Sequence, residues 1–353
     1  MFNFLIIGNG LAAYTMAHRF LEEGISFKVI GNSNLSKSSR VAAGIWNPVV
    51  FKRMTKSWLA DELIPELLSF YRAAEKRLNI NFVAERNIIK PFFSEEEKQF
   101  WHKKSKEHLS GFLSPEIHDD KKELKNLIVP DAYGVVKHCG NIDLDTFLTE
   151  TENYLRQHQL IENESFSYAE LEIKNDHLLY KSIPAKHILF CEGFQVVKNP
   201  FFSWLPLKPV KGEVLEIQSY DLDLKHDIFN RDGFVLPLGN NRYKIGATYN
   251  WSDLSETPTE EGRHELMEKL KKITTAGYNI MKHEAGIRPS SADRRPIIGA
   301  HPEHKHMFVF NGLGTKGVML APYVTKNFVN FFLNNTLLHP ETDVARFYKH
   351  YQK

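Results

Sequence analysis

The chain has 353 residues, 42% of them apolar and 25% charged, with 45 basic against 43 acidic side chains and a formal net charge of +2. That length suits two modest domains rather than one small core, and the near balance of charge gives no electrostatic reason to expect a polyanionic partner such as nucleic acid. Two cysteines, Cys139 and Cys191, exclude a disulfide scaffold, and no apolar run approaches the roughly 18 residues of a membrane helix, so a cytoplasmic protein without a membrane partner is expected.

The apolar start stops at Gly8 and lacks the basic lead of a secretion signal. Residues 4–7 instead predict a parallel strand buried on both faces. Leu11 to Glu23 follows with Ala13, Tyr14, Ala17, Phe20 and Leu21 at helical spacing, Gly24 ends it, and Phe27–Ile30 supplies a second strand. The turn between strand and helix reads Gly8-x-Gly10-x-x-Ala13, a form of the dinucleotide fingerprint. Its first glycine allows the tight turn, its second lets a pyrophosphate reach the backbone, and its small third residue lets helix meet strand. The acid that usually binds the adenosine ribose at the end of the second strand is absent. Gly31-Asn32-Ser33 stands there, leaving Asn32 and Ser33 as the candidates.

Leu59 to Leu78 is an amphipathic helical pattern that tolerates Pro65 in its early turns. Residues 85–128 are dense in charge, with Ser94-Glu-Glu-Glu97 as a capping box before a short helix. The mixed signs from Lys103 to Lys125 fit a solvated helical face. Another helix is expected from Asn141–Asp145 to Gln157. Short strands then follow at Leu171–Ile173, His177–Tyr180, His187–Cys191, Val214–Ile217, Gly233–Leu236 and Tyr243–Thr248, with Gly239-Asn-Asn241 as a hairpin turn. Thr257 is expected to cap, and Pro258 to open, a helix whose apolar face is Leu266, Met267, Leu270 and Ile273.

Near the end, Gly286-Ile-Arg-Pro289 places Arg288 beside small residues. A guanidinium there can grip a carboxylate with two parallel hydrogen bonds, the structural alternative being an ion pair with Asp293. Gly312, Gly314 and Gly317 precede a helical run from Val318 to Leu333, whose N-terminus would stabilise negative charge, with Lys316 adding a full positive one. Lys52, Arg53 and Lys56 could face an acidic substrate, although so short a basic run is ordinarily solvated. Tyr249 and Trp251 could wall a pocket or simply pack in the core. His301, His304 and His306 lie in a turn-like stretch without a fourth ligand at a metal-binding spacing, so no metal is expected.

In this order the motifs resemble the D-amino-acid oxidase superfamily of FAD-dependent enzymes, in particular its glycine oxidase and sarcosine oxidase-like branch. The resemblance rests on the Gly8–Ala13 turn, Ser38–Ile45, Ile188–Gly193, Pro209–Glu213, Gly233–Pro237 with Ile245–Thr248, Gly286–Pro289, Gly312–Gly317 and Leu320–Pro322. It implies an α/β fold: a Rossmann-like FAD-binding domain (1–65, 137–205 and 284–353) interleaved with a substrate domain on a mixed, largely antiparallel sheet (66–136 and 206–283). It further implies that Arg40, Ala43, Gly44, Gly193, Gly312, Gly314, Thr315, Lys316 and Gly317 join the turn glycines around the FAD. Neither cysteine matches the position of covalent flavin attachment, so the FAD is expected to be non-covalent. The activity implied is oxidation of the C–N bond of a small amine or amino acid, with no general base assigned. The Gly-Leu-Gly form of the late loop is also similar to the oxidase domain that trims a wobble-uridine side chain in transfer RNA. The missing ribose acid leaves open a flavin-binding protein without turnover of its own.

Overall fold

A computed structural model describes residues 1–32, 38–119, 124 and 126–351, and two sheets organise them. The first is parallel at its centre, where Phe2–Ile7 lies between Phe27–Ile30 and Ile183–Phe190. Ile161–Glu162 extends one side and Met307–Asn311 the other, both in parallel. Alternate residues of Phe2–Ile7 go to different cores. Phe4 and Ile6 face the helices Leu11–Glu22 and Gly317–Asn334, whereas Leu5 and Ile7 join Ile188, Phe190 and Phe202 on the opposite face. Phe4 packs on Phe20 at 4.8 Å and on Phe332 at 4.8 Å between ring centres. Burial on both faces is why this strand is a continuous apolar run and not an alternating one.

The second sheet runs in the order Asn279–Arg288, Val210–Gln218, Arg242–Gly246, Phe234–Gly239, Ile228–Asn230, Val83–Pro91, Tyr133–Ile142, Ile45–Trp46, with Leu113–His118 also on Tyr133–Ile142. All its pairings are antiparallel except that of Ile228–Asn230 with Val83–Pro91. Because strand side chains alternate, the two faces separate by residue number. Odd-numbered Ile89, Leu215, Ile217, Phe229, Val235 and Ile245 pack on Leu266, Leu270 and Ile273 of the helix Glu260–Ile273. Even-numbered residues face the other way and roof a large cleft over the edge of the first sheet.

The expected boundaries at 65/66, 136/137 and 283/284 fall inside the helix Ala60–Leu78 and the strands Tyr133–Ile142 and Asn279–Arg288. The expected cap at Thr257 is displaced by two residues. Thr259 is the N-cap, its hydroxyl accepting from the Gly262 amide at 3.0 Å. The buried Glu213 carboxylate takes the Thr259 amide (3.0 Å) and hydroxyl (2.8 Å), fixing the helix start there. Asn141 and Ile142 belong to a strand, and the following helix, Leu144–Gln157, is capped by Asp143. No helix among the described residues is long and apolar enough to cross a membrane.

Candidate active site

The cleft measures about 1320 Å³ and lies between the carboxyl ends of the parallel strands and the even-numbered face of the second sheet. Its floor is shaped by glycines that cannot carry a side chain. Gly8 has φ +119°, and a Cβ there would lie 2.5 Å from the Cys191 carbonyl oxygen. At Gly44, with φ +64°, a Cβ would meet the Ile142 carbonyl oxygen at 2.0 Å. Both positions therefore hold bare backbone against the cleft. Two helices, Leu11–Glu22 and Gly317–Asn334, begin beside this floor, and a Cβ on Gly317 would press on Leu11 at 2.8 Å. Gly317 thus lets two amide-rich, positive helix ends converge on one place, which suits phosphates and an anionic ring.

Of the residues singled out in the sequence, Gly8, Gly10, Asn32, Ala43, Gly44, Gly193, Gly314, Thr315, Lys316, Gly317 and Arg288 all line the cleft. Ala13 is buried behind the turn, as a helix–strand contact requires, and Gly312 sits behind the late loop against Arg295 and Ile297. Ser33 lies outside the described residues. Arg40 is a correction: it does not line the cleft, and its guanidinium is held by Asp145 at 2.7 Å and Thr149 at 3.0 Å on the helix Leu144–Gln157. Lys56 likewise pairs with Asp61 at 2.6 Å, while Lys52 lines the cleft with its side chain exposed. The histidine stretch is a turn in which His301 Nδ1 accepts the amides of Glu303 and His304, each at 3.1 Å.

At the adenosine end, Gly31 is closed to substitution, since a Cβ would lie 2.7 Å from that of Asn9. A carboxylate cannot be restored there. Asn32 instead donates to Ser165 Oγ at 3.1 Å, and Glu164 lines the same end while paired with Lys181 at 2.7 Å. Burial pushes the Glu192 carboxyl pKa up, and Glu192 accepts from the Tyr168 hydroxyl and from Asn199 Nδ2 (2.7 Å).

Across the cleft, Arg288 lies over Gly212, where a Cβ would come within 2.0 Å of the guanidinium. A bare backbone at 212 is the seat of the arginine. Its Nη1 donates to the carbonyls of Lys211 and Thr248, each at 3.3 Å, and the guanidinium lies 4.5 Å from the Tyr249 ring centre. Burial lowers its pKa, yet among the described residues no carboxylate pairs with it. The alternative partner, Asp293, is taken by Arg346 at 2.9 Å. Lys316 is similar. Burial pulls its pKa down to about 8, and among the described residues its ammonium has only the Asn47 carbonyl (3.2 Å) and the Ser57 hydroxyl as hydrogen-bond partners. Two desolvated cations with no counter-ion among the described residues are costly to keep, and both line the cleft.

Sequence reasoning missed the supports of this roof. Lys211 is fully buried and holds Asp253, Ser255 and the Thr257 carbonyl, tethering the loop that carries Tyr249. The alternation Lys211-Gly212-Glu213 would have signalled a strand with a buried charged face, had the adjoining strands been visible.

A sequence profile described as "FAD dependent oxidoreductase" (DAO) matches residues 3–329. The chain belongs to this family. Its cofactor is FAD, and the glycine floor, paired helix ends and anion-ready charges fit such a group. Glycine oxidase of Bacillus subtilis is 33% identical over 144 residues, covering 39% of this chain and 38% of its own length. The bifunctional protein MnmC of Idiomarina loihiensis, named for tRNA 5-methylaminomethyl-2-thiouridine biosynthesis, is 24% identical over 349 residues, covering 91% of this chain. The chain spans only 54% of that relative's length. The crystal structure of glycine oxidase from Geobacillus kaustophilus superposes with a TM-score of 0.79 at 18% identity, over 98% of this chain and 97% of its own, a likeness of fold.

Proposed function

We propose that this chain oxidises the C–N bond of a small amine that carries a carboxylate, an amino acid or an N-substituted glycine. The observation that carries the reading is Arg288, a half-buried guanidinium with no carboxylate partner among the described residues, lining the cleft over a glycine seat. A substrate carboxylate supplies the missing counter-charge by two parallel hydrogen bonds. That contact fixes the substrate, and Tyr249 closes one side of it. The bound flavin supplies the two-electron acceptor for the hydride on the carbon next to nitrogen. Lys316 and the helix end at Gly317 supply positive potential where negative charge develops. No acid–base side chain is required if the amine binds neutral.

Anaerobic mixing of the yellow holoprotein with a panel of amines and amino acids tests this. Bleaching of the flavin by carboxylated amines, and not by their decarboxylated counterparts, is the expected result. Bleaching by none would leave a flavin-binding protein without turnover of its own.

A second reading, oxidation of a modified transfer RNA wobble nucleoside, is supported by the MnmC likeness, which runs along nearly the whole chain where that to glycine oxidase takes in about two fifths. Salt-sensitive binding of transfer RNA would favour it.

A further inference from the structure

The even-numbered roof continues well beyond Arg288. Register carries one row of it from Val214 to Gly246, Phe234 and Asn230. Beside Asn230, one residue past the pair Phe229 and Ile89, stands Lys90. Val214, Gly246, Phe234, Asn230 and Lys90 all line the cleft. Between the strand that seats the Arg288 guanidinium and the strand of Lys90 lie four strand spacings, about 19 Å at ~4.8 Å each. Even allowing for the reach of a lysine, that gap far exceeds an α-amino acid, a unit that spans only ~3.8 Å within a chain.

Lys90 is half-buried, and burial lowers its pKa. Its hydrogen bond is a long one, 3.3 Å, to the carbonyl of Pro91, and among the described residues no carboxylate lies within ion-pair distance. Glu97, whose field reaches it, is occupied with the Phe93 amide at 2.9 Å. Asp232 also acts on it but is exposed to solvent. Arg231, lying over Phe93 at 3.8 Å, adds a further positive charge nearby. The cleft volume of about 1320 Å³ exceeds the roughly 300–1,000 Å³ of ordinary ligand pockets.

We infer that the substrate is an N-substituted glycine with a second anionic group, a phosphate or a carboxylate, on its far substituent: Arg288 holds the glycine carboxylate and Lys90 the distal anion, with Phe234 and Asn230 along the connecting part. This rests on the proposed C–N oxidation and narrows its substrate class. Aliphatic or aromatic spacers lie on Phe234, and the distal anion supplies the half-buried ammonium with a charged partner.

The test uses holoprotein and a series of N-substituted glycines of graded length, each ending in a phosphonate, a carboxylate or a neutral hydroxyl. Flavin bleaching gives kcat/KM, and matching thioethers, with sulfur in place of nitrogen, give Kd from the shift in the flavin spectrum. For the long spacers the anionic end should be favoured over the hydroxyl by about tenfold, in both kcat/KM and Kd. Short spacers should show no such preference. In Lys90→Ala the ratio should fall close to one, and in Lys90→Glu it should invert. The phosphonate and carboxylate arms decide which anion is preferred. A ratio near one in the unaltered protein at every length, or one that survives Lys90→Ala, overturns the inference while the C–N oxidation stands. If no carboxylated amine bleaches the flavin, both fall together.

Discussion

The floor and the roof of the cleft are built on different logic. The floor is backbone: Gly8, Gly44 and Gly317 are bare because a carbonyl or a leucine already occupies the place of a Cβ. The roof is side chain: Arg288 and Lys90 reach from alternate positions of a sheet, and Lys316 reaches in from the rim, all without a carboxylate partner among the described residues. A floor of this kind accepts one shape and tolerates little change. A roof of charged side chains can be altered residue by residue, each substitution changing which substrate is held. On the proposed reading, cofactor binding and substrate choice are separated in space, and substitutions on the two sides should have different signatures.

The largest effect should come from the floor. Gly8→Ala forces a side chain onto φ +119° and within 2.5 Å of the Cys191 carbonyl. Strain and overpacking should each cost about 1–3 kcal/mol, and the purified protein should emerge colourless after removal of excess FAD. A folded Gly8→Ala protein with stoichiometric yellow flavin would erase the distinction between floor and roof.

Next is Arg288→Ala, on the roof. Leaving a substrate carboxylate unpaired should cost about 2–5 kcal/mol, or on the order of 30- to 5,000-fold in kcat/KM. Flavin content should be unchanged, and amines lacking a carboxylate should be far less affected. Arg288→Lys should recover only part, since an ammonium lacks the two-pronged geometry. Equal losses on both substrate types, or loss of FAD, would make Arg288 a structural residue.

The floor was far more legible in the sequence than the roof, for a physical reason. Strand, turn and helix at 2–30 are contiguous, so apolar run, glycine spacing and helical periodicity all lie within one short window, and the helix was expected within one residue of its end at Glu22. The roof is assembled from strands far apart in the chain. Val83–Pro91 was hidden because it runs into the charged stretch from residue 85, where Glu85, Arg86 and Lys90 interrupt its apolar positions, and Tyr133–Ile142 because glycines and polar residues break its alternation. Arg288 could be read from its neighbours, but its seat on Gly212 depends on the pairing of Asn279–Arg288 with Val210–Gln218. Arg40 misled because a basic residue in a cofactor loop reads alike whether it faces the cofactor or Asp145. The gap left by the ribose acid was visible, but not that Asn9 crowds Gly31 and closes the position.

Acid should weaken the floor first. His18, fully buried in the helix that the turn opens, accepts at Nδ1 from Arg77 at 2.8 Å and so donates from Nε2 to Thr151 at 2.9 Å. Burial, then the Arg77 charge, lowers its pKa from 6.5 to about 3. The unfolded chain takes up this proton below 6.5 and the folded one does not, so the stability is present above that pH and is lost as pH falls towards 3. At pH 5 the loss should be on the order of 2 kcal/mol relative to pH 7. Denaturant unfolding at both pH values measures it, and His18→Gln should flatten the dependence. An equal pH dependence in the variant would assign acid sensitivity elsewhere.

The smallest effect should sit where floor and roof meet, at Lys316. Its pKa is pulled to about 8 by burial, so the ammonium is charged below that pH and neutral above it. Among the described residues the charge has the Asn47 carbonyl and the Ser57 hydroxyl beside it and no carboxylate. Negative charge developing in the cleft is the partner it lacks, and such charge is stabilised only while the lysine is protonated. The rate of flavin reduction at saturating substrate should therefore be level below about pH 8 and fall above it. Lys316→Met should lower the rate at neutral pH by about tenfold, the value of one charge-assisted contact, and remove the alkaline fall. Binding of FAD should survive, because the helix end at Gly317 and the bare glycines of the turn remain. A variant that keeps the alkaline fall would place the titrating group elsewhere, and one that loses FAD would make Lys316 part of the floor.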